Sequence, residues 1–157
     1  VRYWLLKTEP DVFSFDDLEN SPGQTTGWEG VRNYQARNNL REMCVGDRVL
    51  IYHSSINPPG IVGTARIVRE AYADGAQFNP QSDYFDPKST PEHPRWSQVD
   101  VQADQRFARF LPLEQLKLDA KLEGMVLLQK GSRLSVQPVS KLHWTHILKL
   151  GGIKDRS

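Results

Sequence analysis

The sequence predicts an α+β domain, a mixed β-sheet curled towards a barrel with helices packed around it. Three observations carry this reading. Short β-rich runs are interleaved with short helical stretches, two of those runs are joined by a tight turn as in a hairpin, and no segment repeats. A chain of 157 residues suits one domain, since domains usually run to roughly 100–150 residues. Residues 1–152 are assigned to that domain and 153–157 to a loose tail.

Taken in order, Tyr3 to Leu6 reads as a short buried strand that ends before Pro10, which lacks the amide hydrogen a strand interior needs. Ser14 followed by Asp17 is a capping-box-like helix start, and Ser21-Pro22-Gly23 breaks that helix. Gly27-Trp28-Glu29-Gly30 is a glycine-flanked loop that leads into a helix from Arg32 to Met43. Arg48 to His53 is β-branched and aromatic. The turn Asn57-Pro58-Pro59-Gly60 joins it to a second β run, Ile61 to Val68. Residues 70–95 are poor in aliphatics and hold four of the ten prolines, which predicts a long irregular excursion. Tyr84, Phe85 and Trp96 give that excursion anchors to pack with.

Val99 to Asp104 and Arg106 to Leu111 alternate with period two, as half-exposed strands do. Pro112 opens a short helix, Glu123 to Lys130 reads as another helical stretch, and Arg133 to Val139 as a strand. Ser140 caps a last helix, stopped by Gly151.

Composition excludes several classes of function. Lys and Arg total 20 against 19 Asp and Glu, so nucleic acid is not gripped by bulk charge and any contact must come from a local patch. Cys44 stands alone, which excludes an intramolecular disulfide and a multi-cysteine zinc site. No apolar run approaches the ~18 residues of a membrane span, and Val1 to Lys7 is broken by charge too early for a secretory signal. No membrane partner is expected. The expected location is intracellular: cytoplasmic for a bacterial protein, nuclear for a eukaryotic one.

Candidate chemistry is thin. Cys44, between Met43 and Val45, reads as a small buried hydrophobe rather than a nucleophile. His53-Ser54 lacks a glycine-flanked nucleophile elbow. His143 and His146 lack a third ligand. There is no P-loop, G-x-G-x-x-G or H-E-x-x-H motif, so neither a cofactor nor a metal is expected, and no catalytic residue is assigned. What stands out is a set of polar and aromatic groups at element ends: Lys7-Thr8-Glu9, Trp28, the run from Asn33 to Asn38, and His53-Ser54. Asn33 offers donor and acceptor together, as a base edge requires, or else it caps a helix; Trp28 offers a stacking face, or else it fills the core. Arg37 and Arg41 share a helix face with Arg32 near its start, placed either for phosphates or for solvent.

At these residues the sequence resembles a known family. Tyr3 to Pro10, Trp28 to Asn38, Gly46-Asp47 through Ser54, Gly60 to Gly63, Tyr84 to Pro87 and Arg133 to Val139 are similar to successive blocks of the EVE domain family, a branch of the PUA-like superfamily. The resemblance runs from residue 3 to about 139, and the helix that follows fits it. It implies a PUA-like fold related to YTH domains, which hold N6-methyladenine in an aromatic cage. It further implies a non-catalytic partner role towards DNA or RNA carrying a modified base, such as a methylated cytosine or adenine.

Carried onto this chain, the resemblance puts Lys7, Thr8 and Glu9 along the pocket wall and makes Trp28 the first cage tryptophan. Asn33 lies in the helix motif, and His53 and Ser54 end the strand facing the pocket. Tyr84 and Trp96 are taken for the second wall, and Arg32, Arg37 and Arg41 for contacts to the nucleic-acid backbone. Two rivals stand beside this reading. One is an enzyme acting on a nucleobase or nucleotide, motivated by Glu9, His53 and Ser54; the other is a small-ligand or protein-interaction scaffold using the same groove.

Overall fold

Six strands and four α-helices build the fold of the computed structural model, which describes residues 1–156; Ser157 lies outside the described residues. The strands are β1 (Tyr3–Thr8), β2 (Thr25–Gly27), β3 (Arg48–His53), β4 (Gly60–Ala73), β5 (Ser97–Pro112) and β6 (Val136–Val139). The helices are α1 (Phe15–Glu19), α2 (Tyr34–Glu42), α3 (Leu113–Lys117) and α4 (Lys141–Gly151). The strands form one mixed sheet in the order β2-β5-β4-β3-β1-β6. Only β1 and β3 run parallel, from Tyr3 opposite Arg48 to Thr8 opposite His53. The α+β class is as the sequence predicts, but the sheet stays open, because β2 pairs with β5 alone and β6 with β1 alone.

The unbroken apolar run of β3 has a simple cause: the strand is covered on both faces. Val49 and Ile51 join Trp4, Leu6, Leu40 and Trp28 in the core under α1 and α2. Leu50 and Tyr52 join Leu5, Trp144 and Ile147 in a second core under α3 and α4. Each fully buried side chain of this size contributes about 1.5–3 kcal/mol, so the two layers fix the β1/β3 register from both sides.

Local signals place the helices. Ser14 and Asp17 close a reciprocal capping box, and Ser140 caps α4 through the His143 N–H. The two period-two runs after residue 97 are one strand, β5, irregular in register against β4. Glu123 to Lys130 is not an α-helix. Single 3₁₀ turns at Ala120–Leu122 and Val126–Leu128 flank Gly124, whose φ of 88° interrupts helical geometry. Cys44 is exposed rather than buried, because Met43 occupies the buried position where α2 ends.

The described tail residues lie along the sheet. Gln105 donates to the Lys154 carbonyl at 2.8 Å, and Asp155 pairs with Arg48 at 2.6 Å.

Candidate nucleic-acid interface

The site grows from the end of β1 where Pro10 stops it. The chain turns back at once. The N–H groups of Val12 and Phe13 both donate to the Glu9 carbonyl at 2.9 Å, and the Thr8 hydroxyl donates to the Phe13 carbonyl at 2.6 Å. Lys7, Thr8 and Glu9 are thereby held as one wall. The facing wall begins at β2, a strand the sequence did not reveal, which hands the chain to Trp28; its backbone N–H donates to the Val99 carbonyl at 2.8 Å. Gly30 follows with φ of 86° and lies flat on Tyr84, where a Cβ would come within 2.7 Å of the Tyr84 Cζ. Any side chain at residue 30 would therefore displace the Tyr84 ring.

Asp74 ties the facing wall together. Its carboxylate, with no exposed surface, accepts from Gly30 N–H at 2.9 Å, Arg32 Nη1 at 2.9 Å and Ala76 N–H at 2.8 Å. Arg32 then reaches the Tyr84 carbonyl through Nε at 3.1 Å and Nη2 at 2.7 Å. Between the walls is a cavity of about 400 Å³, within the ~300–1,000 Å³ typical of small-molecule pockets. Asp74, Gly30 and Phe13 carry this geometry, yet sequence reasoning assigned them no role. The available signals were the glycine flanking Trp28 and an aspartate directly before Gly75.

One donor at the cavity, the Trp28 indole N–H, has no partner among the described residues. Trp28 is only 7% exposed and packs edge-on to Phe13, with ring centroids 6.0 Å apart at 88°. The indole N–H groups of Trp4, Trp96 and Trp144 donate to Asp47, Asp86 and Asp155 at 3.0, 2.7 and 3.3 Å. No described acceptor meets the one on Trp28. The buried side-chain nitrogens and oxygens left without partners are Arg48 Nε and Gln137 Oε1, so the Trp28 N–H is reached by solvent. Lys7 lines the cavity's edge through β1, but its side chain lies on the Leu5 and Tyr52 face, with Nζ 5.7 Å from the Tyr52 ring centroid; it is half-buried, forms no ion pair among the described residues, and burial pushes its pKa down. Glu9 and Glu29 also line the cavity, but both are exposed.

The other candidates lie elsewhere. Asn33 is the N-cap of α2, its Oδ1 accepting from Ala36 N–H at 2.9 Å. His53 Nε2 accepts from the Phe15 N–H at 3.1 Å, which straps α1 to the sheet, and the Ser54 N–H continues the ladder to the Thr8 carbonyl at 2.9 Å. Burial holds the His53 pKa below its usual value, Asp16 opposes that shift, and Arg106 adds to it. Trp96 stacks on Tyr34 at 4.9 Å with its N–H on Asp86, so Tyr84 is the aromatic of the excursion that lines the cavity. Arg37 and Arg41 tie α2 to the excursion's end. Arg37 Nη1 donates to the Arg95 carbonyl at 3.0 Å and Arg41 Nε to the Ser97 hydroxyl at 2.9 Å. Burial, then the charge of Arg37, lowers the Arg41 pKa.

His146 meets Asp119 at 2.7 Å, and no cluster of three or more His, Cys, Asp or Glu is placed to hold a metal among the described residues. No described helix is long and apolar enough to cross a membrane.

An open mixed sheet with a half-enclosed, partly aromatic cavity at the end of its parallel pair defines an α+β domain. The chain belongs to the EVE domain family, whose model matches residues 2–150, in agreement with the blocks seen in the sequence. It is 44% identical over 166 residues to thymocyte nuclear protein 1 of Mus musculus, covering 95% of this chain and 73% of that one. A solved protein from Pseudomonas putida superimposes with a TM-score of 0.91 at 50% identity, over 95% of this chain and 99% of that one. The human THYN1 protein, solved in complex with DNA containing 5-methylcytosine, superimposes with a TM-score of 0.92 at 41% identity, over 99% and 100% of the two chains.

Proposed function

We propose that this chain is a non-catalytic nucleic-acid-binding domain that takes one modified base, with 5-methylcytosine as the first candidate, into the cavity between the Lys7–Glu9 wall and Tyr84. The observation that carries this reading is the cavity itself. It is the size of a small-molecule site, lined by aromatic rings, with one wall held by Asp74, in a fold matching that of a human protein seen with DNA containing 5-methylcytosine. A base taken out of its stack loses stacking energy, which an aromatic face restores by roughly 1–3 kcal/mol. A snug niche for one methyl adds about 1–3 kcal/mol of discrimination, or 10–200-fold.

The enzyme reading drew on Glu9, His53 and Ser54 facing one pocket. Of these only Glu9 lines it, and His53 Nε2 already accepts from Phe15. Titration with oligonucleotides carrying 5-methylcytosine, N6-methyladenine or no modification tests the proposal. It expects one modified base to bind at least ~10-fold tighter than its unmodified parent. Equal binding of all three would sink it.

A further inference from the structure

Trp28 differs from the other tryptophans in a way that bears on how a base would be read. An indole N–H lies in the plane of its ring, so a base stacked on that ring's face is out of its reach. Trp28 is 7% exposed and has Phe13 against it, too little open surface for a whole face to serve as a platform. Trp28 lines the cavity, and its solvent-reached N–H has no acceptor among the described residues, whereas the other three indoles are each bound to a carboxylate. Tyr84 is the more open ring at the cavity.

We infer that Trp28 is a hydrogen-bond donor that reads the edge of the bound base, and that the site selects nucleobases presenting a carbonyl oxygen or ring nitrogen to its indole N–H. The inference rests on the base-binding reading above and deepens it. The carboxylates of Glu9 and Glu29, also at the cavity, are exposed, so the shielded indole N–H favours a base that turns an acceptor towards it. A donor left unpaired when the wrong ligand binds costs more than a good contact gains, and this asymmetry is what gives such a group its power to discriminate.

The test compares wild type with Trp28→Phe and Trp28→Ala, titrating each with the 5-methyldeoxycytidine nucleoside and with a single-stranded oligonucleotide holding one 5-methylcytosine, alongside thermal melts. Should Trp28→Phe melt far below wild type, replacing Trp28 by benzothienylalanine keeps the bicyclic shape and removes only the N–H. The expected result is a loss of roughly 10-fold for both ligands when the N–H is removed, equivalent to ~1.4 kcal/mol and within the range of one hydrogen bond. Unchanged binding by the variant lacking only the N–H, with Tyr84→Ala still weakened, would overturn the inference and leave the base pocket standing. A loss confined to the oligonucleotide would overturn it too, placing the acceptor on the sugar–phosphate backbone. If removing the N–H and Tyr84→Ala both left binding unchanged, the base-binding reading itself would fail.

Discussion

The two ends of the parallel β1/β3 pair are built on opposite principles. At the Tyr3/Arg48 end, polar groups are buried and almost all are paired. Arg48 is 2% exposed, donates to Asp104 at 3.1 Å and Asp155 at 2.6 Å, and lies 5.1 Å from the Trp144 ring centroid; its Nε alone lacks a partner. Beside it Asp47 accepts from Arg2 N–H, Trp4 Nε1 and Cys44 N–H, each at 3.0 Å. Burial alone would raise the Asp47 pKa, but these hydrogen bonds outweigh it and hold the carboxyl below its usual range. At the Thr8/His53 end, by contrast, the Trp28 indole keeps its donor unpaired beside an open cavity. Paired polar groups hold one end together. Unpaired ones suit the other to a ligand, since a donor already bonded inside the protein has little to offer one.

The largest expected effect breaks the paired end. Arg48→Ala leaves Asp104 buried with only Arg66, 3.5 Å away, so denaturant unfolding should show a loss near ~3 kcal/mol, the low side of the ~3–5 kcal/mol for breaking a buried ion pair. Base binding by the folded fraction should be unchanged. Next in size is Tyr84→Ala, which should weaken oligonucleotide binding by about 1–3 kcal/mol while moving the melting temperature far less than Arg48→Ala does.

A smaller effect separates His53 from the ligand. Burial depresses its pKa from 6.5, so the folded state holds it neutral while the unfolded state protonates below about pH 6.5. Its contribution to stability is full above that pH and is lost as pH falls through the folded pKa. His53→Gln, which retains an acceptor for the Phe15 N–H, should flatten the stability curve between about pH 5 and 7 and leave binding intact. Loss of binding would return His53 to the site.

The smallest effect concerns salt. If two or three phosphates are neutralised, log affinity for a single strand should fall against log salt with a slope of about −1.4 to −2.1. Arg37→Ala should not change that slope, because Arg37 already donates to the Arg95 carbonyl. A slope shallower by about 0.7 would give Arg37 a phosphate.

What the sequence made legible was local. Ser14 with Asp17, and Ser140, announce their caps within three residues, and the β-branched, aromatic run from Arg48 to His53 announces a strand. What it hid was decided at a distance. β2 is three residues that become a strand only by pairing with Asp100 to Gln102. Asn33 carries an amide fit for a base edge, and only the geometry of α2 shows that amide bonded to Ala36. Trp28 was legible as a site candidate because glycines flank it, but that Phe13 packs against it and that no described acceptor meets its N–H only the fold shows.

The four indole N–H groups give the most direct test of the contrast between the two ends. Nitrogen-15 spectra recorded while a 5-methylcytosine oligonucleotide is titrated to saturation report on each of them separately. The Trp28 signal should move most, while those of Trp4 and Trp144, held by Asp47 and Asp155, should stay in place. A Trp28 signal that stays fixed at saturation while Trp4 or Trp144 shifts would contradict the account and move the binding surface to the opposite end of the sheet.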